Sequence, residues 1–106
     1  SEERLAHLFT PLHPAVLKSL HRVAQIAAQE NLMVLVCGEV ASNPIYATLL
    51  VGMGFNHLSM SAYAIPGIKK KLRGISYQRS REMLSEVLKL SSLEDIQFYV
   101  GQSLLD

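Results

Sequence analysis

The chain has no tryptophan and a single cysteine, and its ten lysines and arginines nearly cancel nine aspartates and glutamates over 106 residues. One cysteine cannot close an internal disulfide, so the expected setting is a reducing cytoplasm. A formal charge of +1 supplies no broad field for nucleic acid or an anionic membrane, partners that need many clustered cations. Aromatic residues are few, and Tyr63, Tyr77, Phe98 and Tyr99 are too scattered to form a base-stacking platform. No N-terminal apolar run has the length or flanks of a signal peptide or membrane span. Internal repeats, low-complexity stretches and flexible linkers are also lacking. What remains, with 49% of residues apolar, is one globular unit over residues 1–106 with enough apolar surface for a core.

The apolar period changes several times along the chain. Pro11 and Pro14 bracket a turn, and Pro14 suits the first position of a helix because its ring pre-sets φ and its missing N–H costs nothing there. From there Val16, Leu17, Leu20, Val23, Ala24, Ala27 and Ala28 recur at three- and four-residue steps, which predicts an amphipathic helix ending near Asn31. Leu32 to Cys37 is apolar at every position, the pattern of a strand covered on both faces in a parallel sheet. Asn43 followed by Pro44 is a helix start, with the Asn side chain accepting an orphan N–H. That helix runs to about Met53, where Gly52 or Gly54 ends it. A second strand follows over residues 57–61, then a short helix from Pro66 to about Arg73 and a longer one from about Tyr77 to Leu90. A last helix is opened by Ser91 or Ser92, with Glu94 and Asp95 in its first turn. Met53, Met60 and Met83 fall at expected core positions.

Two strands joined by one helix imply parallel pairing with a right-handed crossover. Two strands alone make a poor sheet, so the order α-β-α-β-α-α-α reads as a slice of a larger α/β architecture. On the residues alone, Cys37 is either a small buried hydrophobe or a reactive group at a strand end. A redox-sensing thiol would need a basic, exposed setting, against which Glu39 argues.

Several strings then carry a resemblance. CGE at 37–39, LLVGMG at 49–54, LSMS at 58–61, AIPGIKKKLR at 64–73 and LFTPLHPAVL at 8–17 together resemble the end of the phosphoenolpyruvate-utilising enzymes. The closest match is to the phosphoenolpyruvate-protein phosphotransferases, the enzyme I type of the sugar phosphotransferase system and its nitrogen-related paralogue. The resemblance covers nearly the whole chain, with the motifs in the family's order and spacing. It implies an α/β fold, the C-terminal fragment of a (β/α)8 TIM barrel. A complete barrel needs roughly 250 residues, so most of it would lie outside this chain.

The resemblance also implies a chemistry. Such enzymes pass the phosphoryl group of phosphoenolpyruvate (PEP) to a histidine in a separate N-terminal domain, then to a histidine-phosphorylated carrier protein, and they work as homodimers with magnesium. The enolate of pyruvate left behind must gain a proton at C3, and the family assigns that step to the cysteine of CGE, here Cys37. The residue type suits it, since a thiol with a reference pKa of about 8.5 is mostly protonated at neutral pH yet holds its proton loosely. Gly38 would let the backbone turn close to the ligand. Glu39 would hydrogen-bond behind the thiol, or else be a solvated loop carboxylate. The family pattern continues with Ala-Gly-Asp where this chain has Ala41-Ser42-Asn43; Asn43 can still cap the helix, but a negative charge near the barrel mouth is gone.

The remaining features are assigned plainer roles. His7, His13, His21 and His57 lack the family's phosphoacceptor context and any metal-ligand spacing, so none is assigned; His13 and His21 are read as surface or capping side chains. The magnesium ligands and the arginines that hold PEP precede this segment in the family, so this chain is expected to bind no metal or cofactor and to be inactive alone. Lys69, Lys70, Lys71 and Arg73 read as a solvated complement to a helix C-terminus, with an acidic-partner patch as the alternative. Gly52-Met53-Gly54 follows a helix and lacks a third glycine, unlike a nucleotide loop. Two other readings stand beside the first: a fragment of pyruvate phosphate dikinase or PEP synthase, which share the barrel and the cysteine, and a non-catalytic dimerisation module.

Overall fold

The computed structural model describes residues 12–37 and 39–103, with Glu39 and Val40 described by their backbone alone. Helix α1 spans Pro14–Gln29, and its N-cap His13 accepts the Ala15 N–H at Nδ1, 3.2 Å away. Asn31, at φ 58°, takes the left-handed conformation that asparagine tolerates better than most residues, and it turns the chain out of the helix. Strand β1 is Leu35–Cys37. A 3-10 turn over Glu39–Ser42 leads into α2, Pro44–Met53. Asn43 Oδ1 accepts the N–H groups of Ile45 and Tyr46 at 2.9 and 3.1 Å, satisfying two orphan donors of the first turn. At the other end Gly54 adopts φ 104° and closes the helix, a conformation that costs a residue with Cβ.

Strand β2, His57–Ser59, pairs in parallel with β1 in the register Leu35↔His57, Val36↔Leu58 and Cys37↔Ser59. A second 3-10 turn, Ala62–Ala64, precedes α3, Ile65–Arg73. Helix α4, Tyr77–Lys89, is capped by Ser76, whose Oγ accepts the Arg79 N–H at 3.0 Å. Helix α5, Leu93–Ser103, starts where Ser92 Oγ accepts the Asp95 N–H at 3.1 Å. The observed order among the described residues is the expected α-β-α-β-α-α-α, with two parallel strands. His7, Pro11 and Gly38 lie outside the described residues.

The core is built on α2. Its sequence PIYATLLVGM is apolar on all sides, and residues 46–50, Gly52 and Met53 are buried. Leu49 and Leu50 are fully enclosed, and burying each contributes about 2 kcal/mol. Leu17 of α1, Met83, Leu84 and Val87 of α4, and Ile96 and Val100 of α5 complete the cluster. The tightest approach is between α2 and α4. A Cβ on Gly52 would sit 2.5 Å from the Ser80 carbonyl oxygen, so only glycine lets the two backbones come this close. Gly52 therefore belongs to the interior of α2 and serves a helix crossing, while Gly54 alone ends the helix.

Two expectations are corrected here. The first strand is shorter than Leu32 to Cys37, and it is not covered on both faces: Leu32, Met33 and Leu35 are 62%, 77% and 55% exposed. Val36 and Leu58 pack on the helical core while Leu35, Cys37, His57 and Ser59 are exposed, so one face of the sheet is left uncovered among the described residues. Met60, expected in the core, lies just past β2 and is half-buried.

Candidate functional site

Side chains alternate between the two faces of a strand, and the alternation sorts the sheet cleanly. Val36 and Leu58 pack against the helical core. Leu35, Cys37, His57 and Ser59 stand on the opposite, exposed face. Because the strands are parallel and in register, Cys37 and Ser59 form the last rung, and both lie at the C-terminal ends of their strands. Cys37 is a free, exposed cysteine.

The local sequence explains the placement. Apolar, β-branched residues carry the chain to Cys37 and a 3-10 turn then redirects it into α2. Ala41 of that turn is fully buried, anchoring the loop beneath α2. Ser42 is half-buried, and the Asn43 side chain is engaged in capping, facing its own helix. Of the expected site residues, Cys37 therefore stands at a strand end on the open face, Gly38 lies outside the described residues, and Glu39 is placed only as the first residue of the 3-10 turn. The spacing of the sequence did not single out Ser59, although the parallel pairing read from it, once a register is assigned, brings LSMS level with the cysteine.

The histidines remain apart from this rung, except His57, which occupies the first rung beside Leu35 on the same face. His13 is a cap, as expected. His21 is not a simple surface side chain: its Nδ1 is buried without a partner among the described residues. The other buried atom in that state is the Tyr46 hydroxyl, and burial raises the Tyr46 pKa to about 12 because the phenolate would lose its hydration. Among the described residues no three His, Cys, Asp or Glu side chains gather as metal ligands. No described helix is long and apolar enough to cross a membrane.

Residues 1–77 match the family described as "PEP-utilising enzyme, PEP-binding domain". The chain belongs to the PEP-utilising enzymes. Within this family it is similar to the phosphoenolpyruvate-protein phosphotransferase of Buchnera aphidicola, 35% identical over 92 residues that make up 87% of this chain and 16% of that protein. The protein of the same name from Haemophilus influenzae is 32% identical over 98% of this chain and 18% of its own length. Multiphosphoryl transfer protein 1 of Escherichia coli is 32% identical over 89% of this chain and 11% of its own length. The chain thus spans less than a fifth of these PEP-utilising relatives. The family match runs from before α1 to the first residue of α4, so it takes in both strands, the Cys37–Ser59 rung and α3.

Proposed function

We propose that this chain is the C-terminal portion of the PEP-binding barrel of a phosphoenolpyruvate-protein phosphotransferase, supplying the barrel's last two strands. The intact enzyme would work in the cytoplasm as a homodimer, moving the phosphoryl group of PEP to one of its own histidines and on to a histidine-phosphorylated carrier protein. The observation that carries the reading is the position of Cys37 at the C-terminal end of a parallel strand, on the face turned away from the helices. In a (β/α)8 barrel that face is the interior, and C-terminal strand ends are where such barrels build their active sites.

The reaction assigned to Cys37 follows from the balance of the transfer. Breaking the P–O bond of PEP leaves the electron pair on the enolate of pyruvate. The Sγ–H proton then adds to C3 as the enolate collapses to the ketone, and the thiolate regains a proton from solvent. Magnesium, which the family resemblance implies for the intact enzyme, would neutralise charge on the transferring group. Residues of this chain hold and deliver one proton, and the groups that bind PEP lie elsewhere, so the chain alone is expected to be inactive.

In the full-length enzyme, Cys37→Ala should slow deuterium exchange at C3 of pyruvate by about 100-fold or more, while sparing phosphorylation of the histidine far more. Equal loss of both rates would make the residue structural or substrate-positioning. The bare apolar face supports one further reading, a module for assembly. Leu32, Met33 and Leu35 are exposed beside a sheet that has two strands and two unpaired edges among the described residues, and such surfaces favour self-association. A clean monomer mass by light scattering at high concentration would remove that reading.

A further inference from the structure

The cations of this chain are unevenly placed. Between Glu39 and Glu82 there is no acidic residue, yet Lys69, Lys70, Lys71, Arg73, Arg79 and Arg81 all fall in that interval. The α3–α4 turn brings part of this set together. Lys70 and Lys71 from the last turn of α3 and Arg79 from the first turn of α4 line one groove of about 690 Å³, with Pro44 and Ile75 in its apolar lining and the buried Met83 beneath.

Helix electrostatics explains only half of the cluster. Lys70, Lys71 and Arg73 complement the negative C-terminal end of α3. Arg79 and Arg81 stand near the positive N-terminal end of α4, whose first turn has no acid, and there a cation is unfavourable. The described ion pairs do not neutralise the groove: Arg79 meets Glu82 only at 3.7 Å, with both side chains about half exposed, and no described ion pair involves Lys70 or Lys71. Local stability therefore accounts for Lys70 and Lys71 but not for Arg79, which the α3–α4 turn adds to the same concavity.

We propose that this groove is a docking seat for an acidic segment of another protein, one that carries apolar side chains among its carboxylates. Three cations set the sign of the occupant. The apolar lining separates a peptide from a simple anion, because an inorganic anion would leave Pro44 and Ile75 unused. Among the described residues no aromatic side chain lines the groove to stack a base, which disfavours a nucleotide. Gly67 forms part of the wall, and a Cβ there would meet nothing within 4 Å, so this residue opens the space without supporting the fold. The seat is separate from the Cys37–Ser59 rung and does not depend on the reaction assigned to Cys37.

The test is a polarisation titration of the 106-residue chain with a labelled peptide of alternating glutamate and leucine. Saturable binding is expected, with affinity falling as salt rises from about 0.05 M to about 0.5 M. Lys70→Gln with Lys71→Gln should weaken it by about tenfold or more. Gly67→Leu, which fills the groove and changes no charge, should weaken it to a similar degree, whereas Lys18→Gln on the exposed side of α1 should not. Circular dichroism of each variant checks that the helices persist, and Gly67→Leu, placed in open space, keeps the question answerable if the lysine pair disturbs α3. Three results would overturn the proposal: no saturable binding, equal binding of a glutamate–serine peptide or of inorganic triphosphate, or a Gly67→Leu chain that binds undiminished.

Discussion

Helix α2 and strand β1 have the same signature in the sequence, apolar residues on every side, and opposite fates in the structure. PIYATLLVGM is enclosed by α1, α4 and α5, with Leu49 and Leu50 at 0% exposure. In β1, Val36 packs on the helices while Leu35 is 55% exposed. An all-round apolar segment thus reports the surroundings it is suited to, whether or not the same chain supplies them. For α2 the cover lies within residues 12–103. For the outer face of β1 it does not, which agrees with a chain that spans less than a fifth of its relatives.

The difference can be broken most sharply from the enclosed side. Gly52→Ala pushes a methyl group against the Ser80 carbonyl and forces α2 and α4 apart, so it should destabilise the chain by about 3 kcal/mol or more in chemical denaturation. A loss below about 1 kcal/mol would mean that the crossing is loose and α2 is not the rigid centre described here.

A smaller effect should follow from pH. Tyr46 is 3% exposed and its pKa is raised from 10.0 to about 12. A group whose folded pKa lies above its unfolded value stabilises the fold below the unfolded pKa and loses that contribution as pH rises toward the folded one. Stability should therefore decline between pH 10 and about 12, by roughly 2 kcal/mol. Tyr46→Phe should remove that decline. It should also leave neutral-pH stability equal or slightly higher, because the buried hydroxyl has no partner among the described residues. A variant with the same alkaline decline would place its cause elsewhere.

The smallest effect belongs to the bare side. Leu35→Gln should change the stability of this chain by less than about 0.5 kcal/mol, and it should reduce self-association seen by light scattering. Against the Gly52 result, this pair of measurements compares two apolar segments that the sequence alone cannot tell apart.

Local signals made most of the fold legible. Asn43-Pro44, Ser76 and Ser92 mark helix starts by side-chain chemistry, and their bonds to backbone N–H groups are present. Gly54 marks an end through its positive φ. The parallel pairing followed from the strand-helix-strand order, because the intervening helix carries the chain back to the starting end of the sheet. Gly52 was misjudged as a possible terminator because its partner is the Ser80 backbone on another helix, and no local pattern encodes that contact. The exposure of Leu35 was missed for the same kind of reason, since periodicity describes a segment and not its neighbours. At the candidate site, the strand-end position of Cys37 was readable. The rung with Ser59 and the meeting of Lys70 and Lys71 with Arg79 required register and helix packing.

The Gly52–Ser80 crossing has a kinetic side as well. It joins α2 to α4 across β2, the second 3-10 turn and α3, so the chain between them must be closed into a loop before the two backbones touch. Each helix can form from its own caps, but this contact brings no stabilisation until the loop-closure entropy has been met. The order of folding events is thereby constrained at one point, since the crossing forms only after the intervening chain has closed.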